Sequence, residues 1–208
     1  MTVVDPKRSL PKWYEDKHRG SSLDLFEYIL ILTSVIYALA VAQILAGVSR
    51  MAQTSSEIEH YLPQKIWIFN LFLLVFLIWW ATWEFRTVEW TFPEYAYLLI
   101  APTLLFFACS LLTPMRFDGE LANIEAHFAR IRRPFFATFF LALLAVIVDG
   151  SVLLNEPVWH NGRYGHVILL VSSGSGYFIS NKKGHTAIAV IVLIALIATA
   201  VSRFWLPR

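Results

Sequence analysis

The sequence contains a single cysteine, Cys109, and few charged residues. A lone cysteine cannot form a disulfide within the chain, so a small disulfide-stapled scaffold is excluded. Charged residues make up 15% of the 208 positions and hydrophobic residues 57%, whereas an average soluble domain has about 25% and about 45–50%. This composition excludes intrinsic disorder, which goes with few apolar residues and many charges. The net charge of +2 is too balanced to indicate a nucleic-acid partner, and we expect none.

Long apolar runs account for the hydrophobic excess and predict a membrane protein. A helix that crosses the hydrocarbon layer needs about 20 mostly apolar residues. We therefore predict an all-α fold: a polytopic transmembrane helix bundle with short loops and one interfacial amphipathic helix. Residues 1–24 form a polar, basic N-terminal tail, and residues 25–206 form the six-helix transmembrane domain. The predicted spans cover about residues 25–48, 66–83, 95–113, 135–154, 166–180 and 187–206.

The first span is expected to be a retained helix. Ala38-Leu39-Ala40 imitates the cleavage site of a signal peptide. However, the acidic Glu27 stands where a signal is basic or apolar, and the apolar run continues past Ala40 to Val48.

Basic residues in the loops predict the orientation, because short cytoplasmic loops collect Lys and Arg. With six spans, the first, third and fifth loops share a side, and these three loops place both termini outside. The basic N-terminal tail favours the opposite orientation. We follow the loops and therefore expect both termini outside. We expect the protein to be a multi-pass protein of the cell inner (plasma) membrane. The loop residues are Arg50, Lys65, Arg116, Arg130, Arg132, Arg133, Lys182 and Lys183.

Asp149 is the one acidic residue well inside an apolar run. A carboxylate in hydrocarbon costs about 3 kcal/mol or more, so it should face the bundle interior and be paired or protonated. Acids at such positions serve as proton relays or ion ligands, and the polar side chains of Gln43 and Asn70 are candidates to join it. The alternatives are a structural hydrogen bond to another helix, or a side chain that reaches the nearby interface.

The span at 166–180 is short and contains a serine–glycine run. Ser172, Ser173 and Ser175 alternate there with glycines, which is consistent with a broken helix that exposes its ends to a substrate or ion. The favoured alternative is a continuous helix that packs closely through its small residues. If this segment does not cross, the last helix reverses direction. Pro102 in the third span predicts a kink.

Helix one carries small residues at a spacing of four: Ser34, Ala38, Ala42 and Ala46. Small residues let helix backbones approach closely in lipid. This face predicts helix packing, either inside the monomer, which is favoured, or in a homo-oligomer or a membrane complex.

Residues 119–133 have an apolar helical stripe with charges on the other faces. The pattern predicts an amphipathic helix lying in the membrane interface. Arg130, Arg132 and Arg133 would then meet lipid headgroups, either as topological anchors or as a site for an anionic lipid. Pro134 would open the next span, since proline is common in the first turn of a helix.

Aromatic residues cluster at the span ends, most densely at Trp79, Trp80 and Trp83, beside Glu84. Such rings prefer the headgroup level and form a belt there. The alternative is a site for a cationic or flat ligand.

No motif indicates a metal, a cofactor or a catalytic nucleophile. The sequence has no HExxH, CxxC, G-x-S-x-G or Walker pattern. The six histidines fall in tails, loops or span ends, which disfavours a haem held by two histidines inside the membrane. We expect no metal and no cofactor.

Three functions stay open. The first is a small transport protein that moves a proton, an ion or a small solute with Asp149. The second is a non-catalytic scaffold or an accessory subunit of a larger membrane complex. The third is a membrane-embedded enzyme that modifies lipid. It ranks last because acid–base chemistry needs partners within hydrogen-bonding reach.

Overall fold

The computed structural model describes residues 25–53, 61–113, 124–155, 157 and 164–202, and this part of the chain is helical without strands. The predicted all-α bundle is thereby confirmed. The predicted tail at 1–24 and the end of the last span lie outside the described residues. The helices are α1 (Leu25–Gln53), α2 (Leu62–Ala81) with a 3₁₀ extension (Thr82–Thr87), α3 (Phe92–Leu98), α4 (Ile100–Leu112), α5 (Ile124–Leu153), α6 (Tyr164–Phe178) and α7 (Lys182–Ala200).

Within the described ranges, five helical units are long and apolar enough to cross a membrane: α1, α2 with its extension, α3 with α4, α5, and α7. The remaining helix, α6, has 15 residues, which gives about 22 Å at about 1.5 Å per residue. It still runs antiparallel to α5 along the bundle. His166 at its start lines the same cavity as Asp149, and Arg132 near the start of α5 donates to the Ile179 carbonyl beyond the end of α6. The chain is a multi-pass helical membrane protein.

Caps explain why several helices begin earlier than their apolar runs. The Asn181 side chain accepts from the Gly184 backbone N–H at 2.5 Å, so α7 begins at Lys182 rather than near 187. The Thr91 backbone N–H donates to Glu94 Oε2 at 2.6 Å, which fixes the start of α3. Capping side chains satisfy backbone groups that have no partner inside the helix. Hydropathy alone misses these polar first turns.

The helices form a ring in the order α1, α4, α5, α6, α7 and α2, which returns to α1. Trp67 of α2 fills the centre of one half of the bundle. Its ring centroid lies 5.6 Å from Phe135, 5.1 Å from Phe136 and 5.7 Å from Phe139 of α5, each with an edge-to-face tilt. Aromatic rings favour this arrangement. All four side chains are at most 1% exposed, so this half of the bundle is closed by packed rings.

The amphipathic segment before the fourth span is not a separate interfacial helix. Its part from Ile124 onward is continuous with the span in the 30-residue α5, and residues 119–123 lie outside the described part. The stripe faces protein rather than lipid, since Ile124, Phe128 and Ile131 are buried in the core. Phe128 packs against the rings of Tyr61 and His185.

Pro134 therefore lies inside α5 and does not open it. A proline within a helix removes one backbone hydrogen bond. Buried residues on both sides, Ile131 and Phe135, hold the helix together across the proline.

The helix around Pro102 is interrupted at Leu99, between α3 and α4, while the kink itself stays a prediction. Pro102 has no N–H to donate to the Leu98 carbonyl, four residues earlier. The chain turns at Leu99, and α4 starts at Ile100.

Candidate functional site

A cavity of about 100 Å³ lies at the end of the bundle where α5 ends and α6 begins. Asp149 lines it and is 4% exposed. In the described part of the chain, no Lys or Arg lines this Asp149 cavity. Leu74, Leu143 and Leu196 form part of its apolar wall. Its polar lining consists of Tyr37, Thr82, Glu84, Asp149, His166 and Thr199.

Each of these polar residues sits near the end of a helix, apart from Tyr37, which comes from the middle of α1. Asp149 lies about one turn before the end of α5, and His166 lies in the first turn of α6. Thr199 is in the last turn of α7, where its hydroxyl donates to the Ala195 carbonyl at 2.8 Å. Thr82 closes α2 by donating its hydroxyl to the Trp79 carbonyl. Five helices thus bring polar groups to one cavity.

The charge state of the buried Asp149 carboxyl determines which ions the cavity can bind. Its Oδ1 has no hydrogen-bond partner in the described part of the chain. An ionised carboxylate at such a buried position costs several kcal/mol unless it is paired. Among the described residues no Lys or Arg lines the cavity, so the charge that balances an ionised Asp149 there comes from His166, a proton or an added cation. Tyr37, Glu84 and His166 are the other ionisable groups among the described lining residues.

Gln43 and Asn70 do not line this cavity and serve other contacts. Gln43 Nε2 donates to the Thr113 carbonyl at 2.9 Å, and Asn70 Nδ2 donates to the Ala189 carbonyl at 2.8 Å. The first bond joins α1 to the end of α4, and the second joins α2 to α7. Both act as hydrogen bonds between helices, as polar side chains commonly do in membranes.

The serine–glycine run forms part of a continuous helix, and α6 is not broken there. Ser172 and Ser173 are buried and Ser175 is half-buried, but none of them lines the Asp149 cavity. Ser173 donates its hydroxyl back to the Leu170 carbonyl at 2.9 Å. A Cβ placed on Gly176 would lie 2.7 Å from Phe136 Cδ1. The run therefore allows α6 to pack closely against α5.

The three arginines of α5 have different surroundings. Arg132 donates to the carbonyls of Phe178 and Ile179 and so caps the end of α6. Arg133 lies over the ring of Tyr177, 5.9 Å from its centroid. Arg130 is exposed. Contact of these arginines with lipid headgroups stays a prediction.

The small-residue stripe of helix one lies away from the bundle core. Ala38 and Ala42 are exposed, and Ser34 and Ala46 are half-buried. Ser34 Oγ accepts from Trp79 Nε1 at 3.0 Å. The tight contact of α1 is instead made by Gly47, where a Cβ would lie 2.7 Å from Thr113 Cγ2.

The tryptophan cluster fits a headgroup belt. Trp80 is 62% exposed and Trp83 is 60% exposed, and neither lines the Asp149 cavity. Glu84, their neighbour in sequence, turns inward to the cavity.

Sequence reasoning singled out Asp149 but not the residues around it. With six spans, the end of the second, the end of the fourth and the start of the fifth fall on the same side of the membrane. Because successive spans run in opposite directions, the sequence could have shown that Glu84, Asp149 and His166 lie on the same side of the membrane. Tyr37 gave no signal of its own, because its position depends on which helices pack around α1.

Among the described residues, no group of three or more His, Cys, Asp or Glu side chains could hold a metal ion. No protein-family model, curated protein or solved structure matches the chain. Fold and site together define a multi-pass helical membrane protein with a buried acid in a small cavity.

Proposed function

We propose that the protein moves protons, or a small cation in exchange for protons, across its membrane. Asp149 is the group that binds and releases the ion. The observation that carries the proposal is the buried Asp149 carboxyl, which lines a cavity where the described part of the chain places no Lys or Arg. A fixed salt bridge would neutralise the acid permanently, whereas an exchangeable ion can load and leave.

The size of the cavity supports a small ion. About 100 Å³ is room for several water molecules, since one water needs at least about 10–15 Å³. The hydroxyls of Tyr37, Thr82 and Thr199 line the same space and offer oxygen ligands to a proton-carrying water or a hard cation. A large solute does not fit.

The closed half of the bundle supports a mechanism with alternating access. The rings of Trp67, Phe135 and Phe136 pack together on the other side of the bundle centre, so the Asp149 cavity does not continue there. Movement of an ion would need the helices to shift around a fixed site, as in secondary transporters.

The proposal includes the orientation of the protein in the membrane. Lys65, Arg132 and Lys182 lie at the end of the bundle opposite Asp149, and cytoplasmic ends are rich in such residues. We therefore place the cavity toward the outer face of an inner (plasma) membrane. A reporter fused after Arg208 should be active only outside the cell, and cytoplasmic activity would overturn this orientation.

Ion flux in proteoliposomes tests the function. Purified protein is reconstituted with a pH-sensitive dye inside, and a pH gradient is imposed with and without Na⁺ or K⁺. Asp149→Asn should abolish the flux. Glu125→Gln is the matched control, because it makes the same change at an exposed position of α5, and it should keep the wild-type rate. Equal flux in both variants, or no flux from the wild type above empty vesicles, would refute the proposal.

The second candidate is a scaffold or accessory subunit, and the exposure of Ala38 and Ala42 favours it. Two copies or a partner helix could approach closely along this face. Ala42→Trp should then lower the mass of the complex measured by light scattering in detergent. Ala187→Trp, at an exposed position of α7, should leave the mass unchanged. An unchanged mass for Ala42→Trp would remove this candidate.

A further inference from the structure

A second, larger cavity lies at the opposite end of the bundle from Asp149. It is a groove of about 490 Å³ between α1, α2 and the start of α5. Leu45, Val48 and Phe69 line it and are themselves 43–54% exposed, so the groove faces outward, where lipid chains surround the protein. Its described lining residues are apolar except for Tyr61, Gln64 and Lys65.

Gln64 gives this groove a polar group that a purely apolar contact with lipid chains does not need. The side chain is 1% exposed, and its Nε2 donates to the Leu112 carbonyl at 2.7 Å. Because a carbonyl can only accept, this bond fixes which end of the amide is oxygen. The other end, Oε1, has no hydrogen-bond partner in the described part of the chain. A buried acceptor without a partner costs about 1–3 kcal/mol, so the groove is suited to a ligand that carries a donor.

Among the described residues, cations outnumber anions near the mouth of the groove, where Glu125 is the carboxylate that acts on Tyr61. Lys65 lines the groove, and the Lys182 ammonium lies 5.3 Å from the centroid of the Tyr61 ring. Burial raises the pKa of the Tyr61 phenol, so its hydroxyl stays uncharged and can donate to a phosphate oxygen. Two ammonium groups and a phenol at the mouth of an apolar groove complement a phosphate attached to a hydrocarbon chain.

We propose that this groove binds one anionic phospholipid. An acyl chain lies along the apolar wall, the phosphate meets Lys65 and Lys182, and a hydroxyl of the lipid donates to Gln64 Oε1. This site is separate from the arginines of α5, since Arg132 caps α6 and Arg133 lies over Tyr177. It does not depend on the function proposed for Asp149.

Native mass spectrometry of the detergent-purified protein tests the site. The protein is titrated with equal amounts of phosphatidylglycerol and phosphatidylcholine. Wild type should retain one phosphatidylglycerol in preference to phosphatidylcholine. The double variant Lys65→Gln, Lys182→Gln should lose the preference. Lys183→Gln, which removes a neighbouring exposed charge, should keep it.

A second pair of variants tests the hydrocarbon part of the groove. Val48→Trp fills the groove and should lower retention of phosphatidylglycerol. Val35→Trp makes the same change at an exposed position of α1 that lines neither cavity, and it should have no effect. Equal retention in all variants, equal retention of both lipids, or a protein dimer that excludes lipid would overturn the proposal. Because both positions are exposed, folding should survive either change.

Discussion

Gly176 of α6 lies directly against the ring of Phe136 in α5. A Cβ on this glycine would be 2.7 Å from Phe136 Cδ1 and closer still to Cε1 and Cζ. Phe136 is itself fully buried between Trp67 and His185, so the ring has no room to retreat. The absence of a side chain at Gly176 is therefore what lets the short α6 pack against α5.

This contact predicts opposite effects for two glycines of one helix. Gly176→Ala should lower the free energy of unfolding by about 1–3 kcal/mol, the usual cost of overpacking a core. Gly174→Ala meets nothing within 4 Å and should raise it by up to about 1 kcal/mol, because alanine favours helix. Thermal unfolding in detergent measures both. Equal effects of the two changes would contradict the close packing.

We expect Asn70 to link two helices and to take no part in ion movement. Asn70→Leu removes the hydrogen bond to the Ala189 carbonyl together with an Oδ1 acceptor that has no partner among the described residues, so the free energy of unfolding should change by no more than about 1 kcal/mol. Because Asn70 does not line the Asp149 cavity, ion flux in proteoliposomes should persist. Loss of flux from a variant that remains folded would show that Asn70 belongs to the ion path.

Filling the Asp149 cavity should block transport. Val146 lines the cavity, whereas Val148, two residues along the same helix, is 38% exposed. Val146→Phe should remove most of the flux, and Val148→Phe should leave it intact. Gel filtration and thermal unfolding confirm that both variants fold. Wild-type flux from Val146→Phe would mean that the ion does not pass through this space.

Arg132 and Arg130 should differ in stability although both are basic residues of α5. Arg132→Gln removes a charged donor from the end of α6 and should cost about 1 kcal/mol, given that the site is partly exposed. Arg130→Gln removes an exposed charge and should cost almost nothing. Equal stability of the two variants, measured by thermal unfolding, would contradict the capping role of Arg132.

The sequence was sufficient to predict the helical bundle, because five of its apolar runs are long enough to cross a bilayer. It did not predict that α5 starts at Ile124. The stripe of Ile124, Phe128 and Ile131 looks the same whether it faces lipid or protein, and only the position of α2 and α7 decides between them.

The candidate site was predictable only in part. Asp149 stands out because an acid inside an apolar run is costly and rare. The alternation of six spans puts Glu84 and His166 on the same side as Asp149, but their meeting with Tyr37 in one cavity depends on the order of helices in the ring, which hydropathy does not contain. For the same reason, Gln43 and Asn70 could not be distinguished from cavity residues by sequence.

Proton flux through a series of Asp149 variants tests the central claim most directly. Wild type, Asp149→Glu and Asp149→Asn are reconstituted at equal density and exposed to the same pH jump. If Asp149 carries the ion, the carboxyl of Asp149→Glu should retain measurable flux and the amide of Asp149→Asn should retain none. A folded Asp149→Asn protein that conducts at the wild-type rate would contradict the account.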